Sequence, residues 1–332
     1  MKAAVIGSGA WGTALAICLC KNGHEVAMWT YEKELIDEMN HDHRNIRLPG
    51  AVLPEELKVS GDYSCAADCD LVVIASPSFP LRSVCMGVAP YIGENAVVVS
   101  VTKGLDSDTH LRMSKVVAQT IGREVVALTG PSHAEEVSVG MPTGLLAACA
   151  DRSKAEFVQD AFMSDTLRVY TSNDPVGAEL GAALKNVIAL CAGIADGMGF
   201  GDNTKAMLMT RGLTEIARLG VALGARKETF AGLGGVGDLI VTCCSMHSRN
   251  RRAGILIGQG KDVPTAMKEV GAVVEGYYAA KSAYELGRKM NINMPITEAA
   301  YKVLYEGADV QSTVRGLLTR SRKEESEDAG WL

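Results

Sequence analysis

The chain has 332 residues, of which 47% are hydrophobic and 22% are charged, and its formal net charge is −6. This composition is that of an ordinary globular protein, and the length fits two domains better than one. The mild acidity argues against a nucleic-acid-binding protein and against a protein of membrane surfaces, although it leaves room for a local positive pocket.

The N-terminal half alternates short apolar runs with helical stretches. Most of the runs are continuously apolar, as strands are when both faces of a parallel sheet are covered. The predicted strands are Ala3–Ile6, Glu25–Trp29, Leu71–Ala75, Ala96–Val101, Val125–Leu128, Thr143–Ala148 and Arg168–Tyr170. The helices predicted between them include Trp11–Lys21, Leu81–Ala89 and Ser153–Phe162. This alternation predicts an α/β fold with a doubly wound, Rossmann-like parallel sheet.

The segment after the first predicted strand carries a GxGxxG motif. Gly7, Gly9 and Gly12 fall between that strand and a helix, which makes the motif more specific than an isolated match. Such glycines permit a tight turn, a close approach of pyrophosphate and close helix–strand packing. The helix N-terminus adds free N–H groups for the phosphates. We therefore expect a nicotinamide dinucleotide, although a turn without a ligand has the same pattern.

The end of the second predicted strand bears on which dinucleotide binds. An acidic residue at that place usually accepts a hydrogen bond from the ribose 2′-hydroxyl of NAD. Here the first acid, Glu32, comes slightly late, whereas Lys33, Arg44 and Arg47 could lie near a 2′-phosphate. The pattern favours NADP(H) and leaves NAD(H) open.

Three further loops are expected at the same edge of the sheet, because ligands of such sheets bind beyond the carboxyl ends of the strands. Residues 75–78, 102–104 and 130–133 read Ala-Ser-Pro-Ser, Thr-Lys-Gly and Gly-Pro-Ser-His. Lys103 would place a cation near a phosphate or a carbonyl, and a solvated surface lysine is the alternative.

The pattern changes at Asp174, which can cap a helix that has Pro175 in its first position. The periodicity is then helical to about Leu318, so we expect a dinucleotide-binding domain over residues 1–173 and an all-α catalytic domain over 174–332. Residues 320–328 mix charges of both signs, which predicts a solvated, frayed end. No run approaches the ~18 apolar residues of a membrane span, so no integral membrane association is expected.

Lys185 is the most informative residue of the second half. It is the only charged residue between Glu179 and Asp196, and helical neighbours such as Ile188 and Ala189 offer no carboxylate. Desolvation lowers the pKa of a lysine toward neutrality, where the amine can act as a general acid and base. Beside a dinucleotide-binding fold, this favours a catalytic role over a lysine at a helix seam whose amine reaches solvent.

A glycine-rich stretch and a basic turn follow. Residues 232–237 lead into Asp238 with no strand before them, which predicts a carboxylate at a tight turn before a helix. Asp238 could pair with the isolated lysine, hold substrate hydroxyls or simply cap the helix. Ser248 predicts the start of another helix, with Arg249 and Asn250 in its first turn. A cation is disfavoured there unless an anion is bound, so we expect a substrate phosphate, with a basic surface turn as the alternative.

The nine cysteines and six histidines give no metal-binding pattern. No pair of CxxC motifs exists, and scattered placement in apolar segments is typical of reduced, buried thiols in a cytoplasmic protein. His41 and His43 form an isolated pair in a polar stretch, which favours a surface position. No metal is therefore expected.

Six segments, in this order, resemble the bacterial-type NAD(P)-dependent glycerol-3-phosphate dehydrogenases. They are GSGAWGTALA (7–16), KGL (103–105), GPSHAEEV (130–137), ELGAALKNVIAL (179–190), GLGGVGDLIVTC (232–243) and SRNRRAG (248–254). One departure is His133, where the family usually has phenylalanine. The 3-hydroxyacid dehydrogenases are organised similarly but carry asparagine at the position of Ala189, which argues against that substrate class.

The resemblance implies reversible reduction of dihydroxyacetone phosphate to sn-glycerol 3-phosphate for phospholipid synthesis, with Lys185 as the proton donor and acceptor. The implied substrate contacts are Lys103, Gly130, Ser132, Lys185, Asp238, Ser248, Arg249 and Asn250. The implied cofactor contacts are Ala10, Trp11, Tyr31, Lys103, Ala134, Arg249, Val273 and Glu275, and they add to Gly7, Gly9 and Gly12 of the glycine loop. Val273 and Glu275 carry no signal of their own.

Two other functions stay open. One is a reductase of another small oxo-acid or phosphorylated ketone, and the other is a non-catalytic NADP(H) sensor. A sensor would need the glycine loop but neither the isolated lysine nor the basic turn, so the sequence disfavours it. The expected partner is a small phosphorylated ketone or alcohol and not a nucleic acid, and the plentiful apolar helices are compatible with a homodimer.

Overall fold

The structure, a computed structural model, describes residues 1–322, 324 and 325. The strands in this part of the chain are β1 (Lys2–Ile6), β2 (Glu25–Trp29), β3 (Lys58–Ser60), β4 (Leu71–Ile74), β5 (Val97–Ser100), β6 (Val125–Thr129), β7 (Thr143–Ala148) and β8 (Leu167–Ser172). The α-helices are α1 (Ala10–Lys21), α2 (Lys33–Asp37), α3 (Leu81–Val88), α4 (Met113–Ile121), α5 (Ala134–Ser138), α6 (Arg152–Phe162), α7 (Pro175–Gly197), α8 (Asp202–Ala222), α9 (Asp238–Cys244), α10 (Arg249–Gly258), α11 (Val263–Val270), α12 (Glu275–Lys289), α13 (Pro295–Glu306) and α14 (Val310–Leu318).

The strands form one sheet in the order β3-β2-β1-β4-β5-β6-β7-β8. Val5 of β1 pairs with Met28 of β2 on one side and with Val73 of β4 on the other, so the chain builds the sheet outward from β1 in both directions. The predicted fold class, a doubly wound sheet followed by a helical domain, is confirmed.

Two details of the sheet differ from the prediction. β7 runs antiparallel to β6, so the sheet is mixed and not wholly parallel. β3 was not predicted, because three residues at an edge are too few for an apolar or alternating pattern to stand out.

Both faces of the sheet are covered, which explains the continuously apolar strands. Leu71 and Val73 of β4 pack in the core that contains α1 and α6. Val72 and Ile74, which point the opposite way, pack in the core that contains α3 and α4. An alternation of polar and apolar residues would have exposed polar groups to one of these cores.

Helix α7 is the centre of the helical domain. Its start is as predicted, because the Asp174 side chain accepts a hydrogen bond from the Gly177 N–H at 2.9 Å and Pro175 occupies the first position. The expectation that no run reaches the length and apolarity of a membrane span was wrong. Among the described residues, α7 alone qualifies by length and composition, but 94% of its most apolar window is buried inside the protein.

The same helix is fastened to the sheet domain near its N-terminus. The Glu179 carboxylate accepts hydrogen bonds from Ser114 N–H at 2.8 Å and from Ser114 Oγ at 2.6 Å, and it pairs with Arg112. Arg112 and Ser114 lie at the start of α4, where free N–H groups favour a carboxylate. The two domains are therefore joined by a largely buried charged contact as well as by the chain.

All nine cysteines lie in the described residues and are free thiols. Burial raises the pKa of the Cys243 thiol to about 12, so this thiol is protonated and unreactive at neutral pH. Cys244 is exposed, contrary to the expectation of buried thiols. In the predicted solvated tail, residues 320–322, 324 and 325 are exposed, and Lys323 and residues 326–328 lie outside the described residues.

Candidate active site

The glycine loop between β1 and α1 fits a bound pyrophosphate. A Cβ on Gly7 would lie 2.5 Å from the Ala75 carbonyl oxygen, and one on Gly12 would lie 2.2 Å from the Gly7 carbonyl oxygen. The fold itself therefore requires glycine at these two positions. A Cβ on Gly9 would meet nothing within 4 Å, so the protein leaves this side of the backbone open. That open space is where a pyrophosphate would approach the loop.

Buried polar side chains hold the loop in place. Ser8 Oγ donates to Thr30 Oγ1 at 2.7 Å, just beyond the end of β2. Asn45 Nδ2 donates to the Ser8 carbonyl oxygen at 2.9 Å and to Thr13 Oγ1 at 2.7 Å. The loop is thereby tied to the second strand and to the segment after α2.

The other predicted cofactor contacts surround this loop. Ala10 and Trp11 form the first turn of α1 and are partly exposed. Tyr31, beyond β2, is 72% exposed, whereas Ala134 is buried at the start of α5. Val273 is half-buried just before α12. Their roles as cofactor contacts stay predictions.

The loops after β4, β5 and β6 meet one another, as predicted for the carboxyl edge of the sheet. Thr102 Oγ1 donates to the Ser76 carbonyl oxygen at 2.7 Å. Lys103 Nζ donates to the Gly130 carbonyl oxygen at 3.2 Å, and Ser132 Oγ donates to the same oxygen at 2.9 Å. Lys103 is therefore held in the cleft and is not the solvated surface lysine that the sequence left open.

Two lysines share one buried carboxylate in this cleft. Lys185 is only 4% exposed, and its Nζ donates to Oδ1 of Asp238, which is fully buried. Lys103 Nζ lies 3.1 Å from Oδ2 of the same carboxylate. Burial lowers the pKa of Lys185, an effect that Asp238 opposes and the positive charge of Lys103 reinforces.

The glycine-rich stretch explains why Asp238 reaches Lys185. A Cβ on Gly181, one turn before Lys185 in α7, would lie 2.1 Å from the Gly234 carbonyl oxygen. The stretch therefore packs directly on the backbone of α7 and delivers Asp238, the first residue of α9, to the lysine. The predicted tight turn before a helix is confirmed, and pairing with Lys185 is the alternative that the structure shows.

The basic turn forms the start of α10, as predicted. Ser248 Oγ accepts a hydrogen bond from the Arg251 N–H at 3.2 Å, and Arg249 is exposed in the first turn. Asn250 is buried, and its side chain donates to Asn186 Oδ1 at 2.9 Å and accepts from the Gly276 N–H at 2.8 Å. In this structure Asn250 links α7, α10 and α12, and its substrate contact stays a prediction.

Glu275, at the start of α12, crosses the cleft to the first domain. Its carboxylate accepts a hydrogen bond from Ser78 Oγ at 3.2 Å, beyond the end of β4. Burial raises the pKa of Glu275, while the hydrogen bond from Ser78 and the charge of Arg249 oppose that rise. A signal for this contact was present in Ser78, which lies in one of the predicted edge loops, but nothing in the sequence pointed to its partner.

His133 and His247 lie together beside this cleft. Their ring centroids are 5.5 Å apart, and burial lowers the pKa of His133. Sequence reasoning noted His133 as a departure and missed His247, which directly precedes the cap of α10.

Within residues 1–322, 324 and 325, no three side chains of His, Cys, Asp or Glu are grouped as metal ligands would be. The exclusion of a metal stays a prediction.

Comparisons with known proteins cover both domains. Two family models match, described as the NAD-dependent glycerol-3-phosphate dehydrogenase N-terminus over residues 2–155 and C-terminus over residues 174–315. A glycerol-3-phosphate dehydrogenase (NAD(P)+) of Desulfitobacterium hafniense is 49% identical, across 100% of this chain and 95% of the relative. One of Fusobacterium nucleatum is 48% identical, across 97% and 98%. The crystal structure of glycerol-3-phosphate dehydrogenase from Coxiella burnetii has a TM-score of 0.91 and 36% identity, covering 96% of this chain and 99% of that one.

Proposed function

The chain belongs to the NAD-dependent glycerol-3-phosphate dehydrogenase family and is an NAD(P)-dependent oxidoreductase, and from that premise we propose that it interconverts dihydroxyacetone phosphate and sn-glycerol 3-phosphate with Lys185 as the proton donor and acceptor. The observation that carries this proposal is the buried Lys185 amine beside Asp238 and Lys103, at the sheet edge that also bears the glycine loop.

Lys185 exchanges a proton with the substrate oxygen. Because burial lowers its pKa, the ammonium gives up a proton more readily than a solvated lysine does. Asp238 accepts hydrogen bonds from both lysines and so fixes the direction of each ammonium. In the reverse direction the neutral amine takes the proton from the hydroxyl of glycerol phosphate.

Lys103 and Lys185 also stabilise the negative charge that develops on the substrate oxygen during reduction. Two ammoniums and one carboxylate leave a net positive charge in a water-poor site, where its effect on an oxyanion is strong. The reduced nicotinamide, when bound, supplies the hydride that the carbonyl carbon receives.

The start of α10 binds the substrate phosphate. Its free N–H groups and positive dipole end favour an anion, and Arg249 is exposed there and available to form a forked pair with phosphate oxygens. Ser248 and Asn250 hold the backbone of this turn through the contacts described above. Gly130 and Ser132 contact the substrate from the first domain. Their loop is held by hydrogen bonds from Lys103 and Ser132 to the Gly130 carbonyl oxygen.

The glycine loop holds the dinucleotide, and NADP(H) is favoured over NAD(H) because Lys33, Arg44 and Arg47 follow the second strand. No metal takes part in this proposal. We further propose that the product supplies phospholipid synthesis in the cytoplasm, a compartment that the nine free thiols support. A homodimer stays a prediction.

A spectrophotometric assay tests the proposed function. Dihydroxyacetone phosphate is offered with NADH and then with NADPH, beside unphosphorylated dihydroxyacetone and a small 2-oxo acid as matched controls. We expect much faster oxidation of the nucleotide with the phosphorylated ketone than with either control. Faster turnover of another ketone or oxo-acid would reject the substrate, and tight nucleotide binding without turnover of any ketone would favour the sensor.

A further inference from the structure

The proposed substrate site takes one part from each domain. The loop between β6 and α5, which contains Ser132, contacts the substrate from the first domain, and the start of α10, capped by Ser248, binds its phosphate from the second. His133 directly follows Ser132, and His247 directly precedes Ser248. The spacing of the two parts of the site therefore depends on what holds these neighbouring residues together.

The two imidazole rings meet across the boundary between the domains. Their centroids are 5.5 Å apart, and their planes are inclined by 50°. The His133 carbonyl oxygen accepts hydrogen bonds from the N–H groups of Glu136 and Val137 in α5, both at 3.1 Å. The His247 N–H donates to Ser245 Oγ at 3.1 Å. Because each ring projects from a hydrogen-bonded backbone, their contact relates the loop before α5 directly to the start of α10.

Packing alone does not explain an imidazole at position 133. His133 Nε2 is buried, and it has no hydrogen-bond partner in the part of the chain that the structure describes. A buried nitrogen without a partner is unfavourable. Phenylalanine, the usual residue of the family, would place a ring here without any polar atom. What distinguishes the imidazole is that it can gain a proton close to neutral pH.

The surroundings of the His133 ring resist that proton. Burial lowers the pKa of His133, and the positive charge of Lys185 on α7 adds to this effect, while the Val241 carbonyl oxygen of α9 opposes it. Two carboxylates at the start of α5 also oppose it, Glu135 and Glu136. A proton on both His133 and His247 would place two like charges on neighbouring rings. The contact between the rings is therefore most favourable when His133 is neutral.

We propose that His133 and His247 clasp the two domains together at the substrate site, and that a proton on His133 opens the clasp and weakens binding of the phosphorylated substrate. The role of the clasp in substrate binding rests on the proposed function, which places the substrate between the two parts that the rings connect. Both histidines are positioning residues, because they act through the loop before α5 and the start of α10. Since the free energy linked to a lowered pKa is lost as the pH falls, the clasp should weaken below about pH 6.5, the ordinary pKa of histidine.

The first test separates substrate binding from turnover. KM and kcat for dihydroxyacetone phosphate are measured at about pH 7.5 with saturating reduced dinucleotide. His133→Ala and His247→Ala should each raise KM about 10-fold and change kcat by less than ~3-fold, because a contact between two rings is worth up to roughly that factor. His133→Phe keeps a ring and should raise KM by less than ~3-fold. His41→Ala, which removes an exposed histidine of the first domain, is the matched control.

The second test follows the proton. The ratio of KM for the wild type to KM for His133→Phe is measured from about pH 7.5 down to about pH 5.5. The ratio should rise several-fold and by at most about 10-fold, because only the wild type can gain the proton that opens the clasp. The substrate phosphate also gains a proton in this range, but it does so equally for both enzymes and cancels from the ratio.

Three outcomes would overturn the clasp. They are a ratio that stays constant with pH, a loss of kcat in His133→Ala as large as its rise in KM, and an equal change in His41→Ala. Should His133→Ala fail to fold in a thermal melt, the wild type, His133→Phe and His247→Ala decide the matter.

A third measurement does not depend on activity. The ring signals of His133 are titrated by NMR without ketone, and they are assigned by their absence from His133→Phe. They should titrate at lower pH in the folded wild type than in the urea-unfolded chain, because the clasp resists the proton. Titration at the same pH would overturn the clasp whatever the activity. If the signals titrate low while no ketone is reduced, the contact stands and the proposed function fails, whereas reduction with a constant KM ratio leaves the function standing and rejects the clasp.

Discussion

The glycine loop and the lysine centre are built in opposite ways. The loop lies within one strand–helix unit, and its shape depends on backbone space at Gly7, Gly9 and Gly12. The lysine centre draws Lys103, Lys185 and Asp238 from three elements that lie far apart in the chain. The first site depends on the absence of side chains, whereas the second depends on charges that the fold has removed from water.

The two sites therefore tolerate different substitutions. An added Cβ disrupts ligand binding by a glycine loop, and the disruption is local because the strand and the helix on either side remain. Removal of one charged side chain from a buried cluster leaves the charges of its partners uncompensated. The following substitutions separate binding, which the loop governs, from proton transfer, which the cluster governs.

Lys185→Ala should give the largest effect. It removes the proton donor, so kcat with dihydroxyacetone phosphate should fall by roughly 10²–10⁴-fold. The affinity for the dinucleotide should change little, because the glycine loop is untouched. Stopped-flow turnover and fluorescence titration of NADPH measure the two quantities.

Lys281→Ala, at an exposed position on α12, is the control for the loss of a lysine. Near-normal turnover in Lys185→Ala would reject the assignment of the proton donor. A thermal melt of each variant shows whether an unbalanced Asp238 has unfolded the protein instead.

Gly9→Ala should give the next largest effect. In contrast to Lys185→Ala, it should weaken dinucleotide binding rather than proton transfer. A Cβ here meets nothing in the protein, so the melting temperature should stay unchanged, but it occupies the space of the pyrophosphate. Dinucleotide affinity should fall by ~10–100-fold, as expected for overpacking of a tight contact. Calorimetric titration of NADP+ and NAD+ measures the loss.

Gly12→Ala is the matched contrast, because its Cβ would lie 2.2 Å from the Gly7 carbonyl oxygen. That variant should lose ~1–3 kcal/mol of stability. A normal affinity in Gly9→Ala would show that the pyrophosphate lies elsewhere.

Arg249→Ala should act mainly on the substrate phosphate, with a smaller loss of affinity for the dinucleotide, which the same residue is expected to contact. Loss of a forked charged contact to phosphate should raise KM for dihydroxyacetone phosphate by about 10-fold or more. Turnover of the unphosphorylated analogue, measured at the same concentrations, should not change. An unchanged KM for the phosphorylated ketone would show that the phosphate does not bind at the start of α10.

The pH dependence should give the smallest and most specific effect. Reduction needs protonated Lys185, so its kcat should fall as the pH rises through the lowered pKa of this amine. Oxidation needs the neutral amine, so its kcat should rise over the same range. Lys103→Met removes a positive neighbour, which raises the pKa of Lys185 and should move both curves upward by roughly one pH unit or less.

Profiles of kcat against pH, measured at saturating substrate for the wild type and Lys103→Met, check the direction of this shift. A shift of both curves to lower pH in Lys103→Met would contradict the electrostatic account of the lysine pair. Lys281→Ala should leave the profiles in place.

The sheet domain could be predicted because its signals are local. An apolar run such as Leu71–Ile74 and a glycine loop that opens a helix each carry their meaning within a few residues. The antiparallel direction of β7 could not be read, because an apolar strand has the same pattern in either direction. The edge strand β3 was too short to give a pattern at all.

The candidate site could be predicted residue by residue but not as an arrangement. The isolation of Lys185 among apolar neighbours indicated desolvation, and the glycines before Asp238 indicated a tight turn. That one carboxylate would serve both Lys185 and Lys103 follows from the packing of α9 on α7, which no spacing encodes. The contact of Glu275 with Ser78 was missed for the same reason.

The placement of Glu179 and Lys185 on one helix limits how hybrids of this chain with its relatives can be made. The two residues are six positions apart in α7, which corresponds to ~9 Å along a helix axis. A chimera joined just before α7 would import both, yet would take Arg112 and Ser114 from the other parent. The other parent must therefore carry residues at positions 112 and 114 that can bind Glu179. Otherwise α7 shifts along its axis and the Lys185 amine is displaced from the active site.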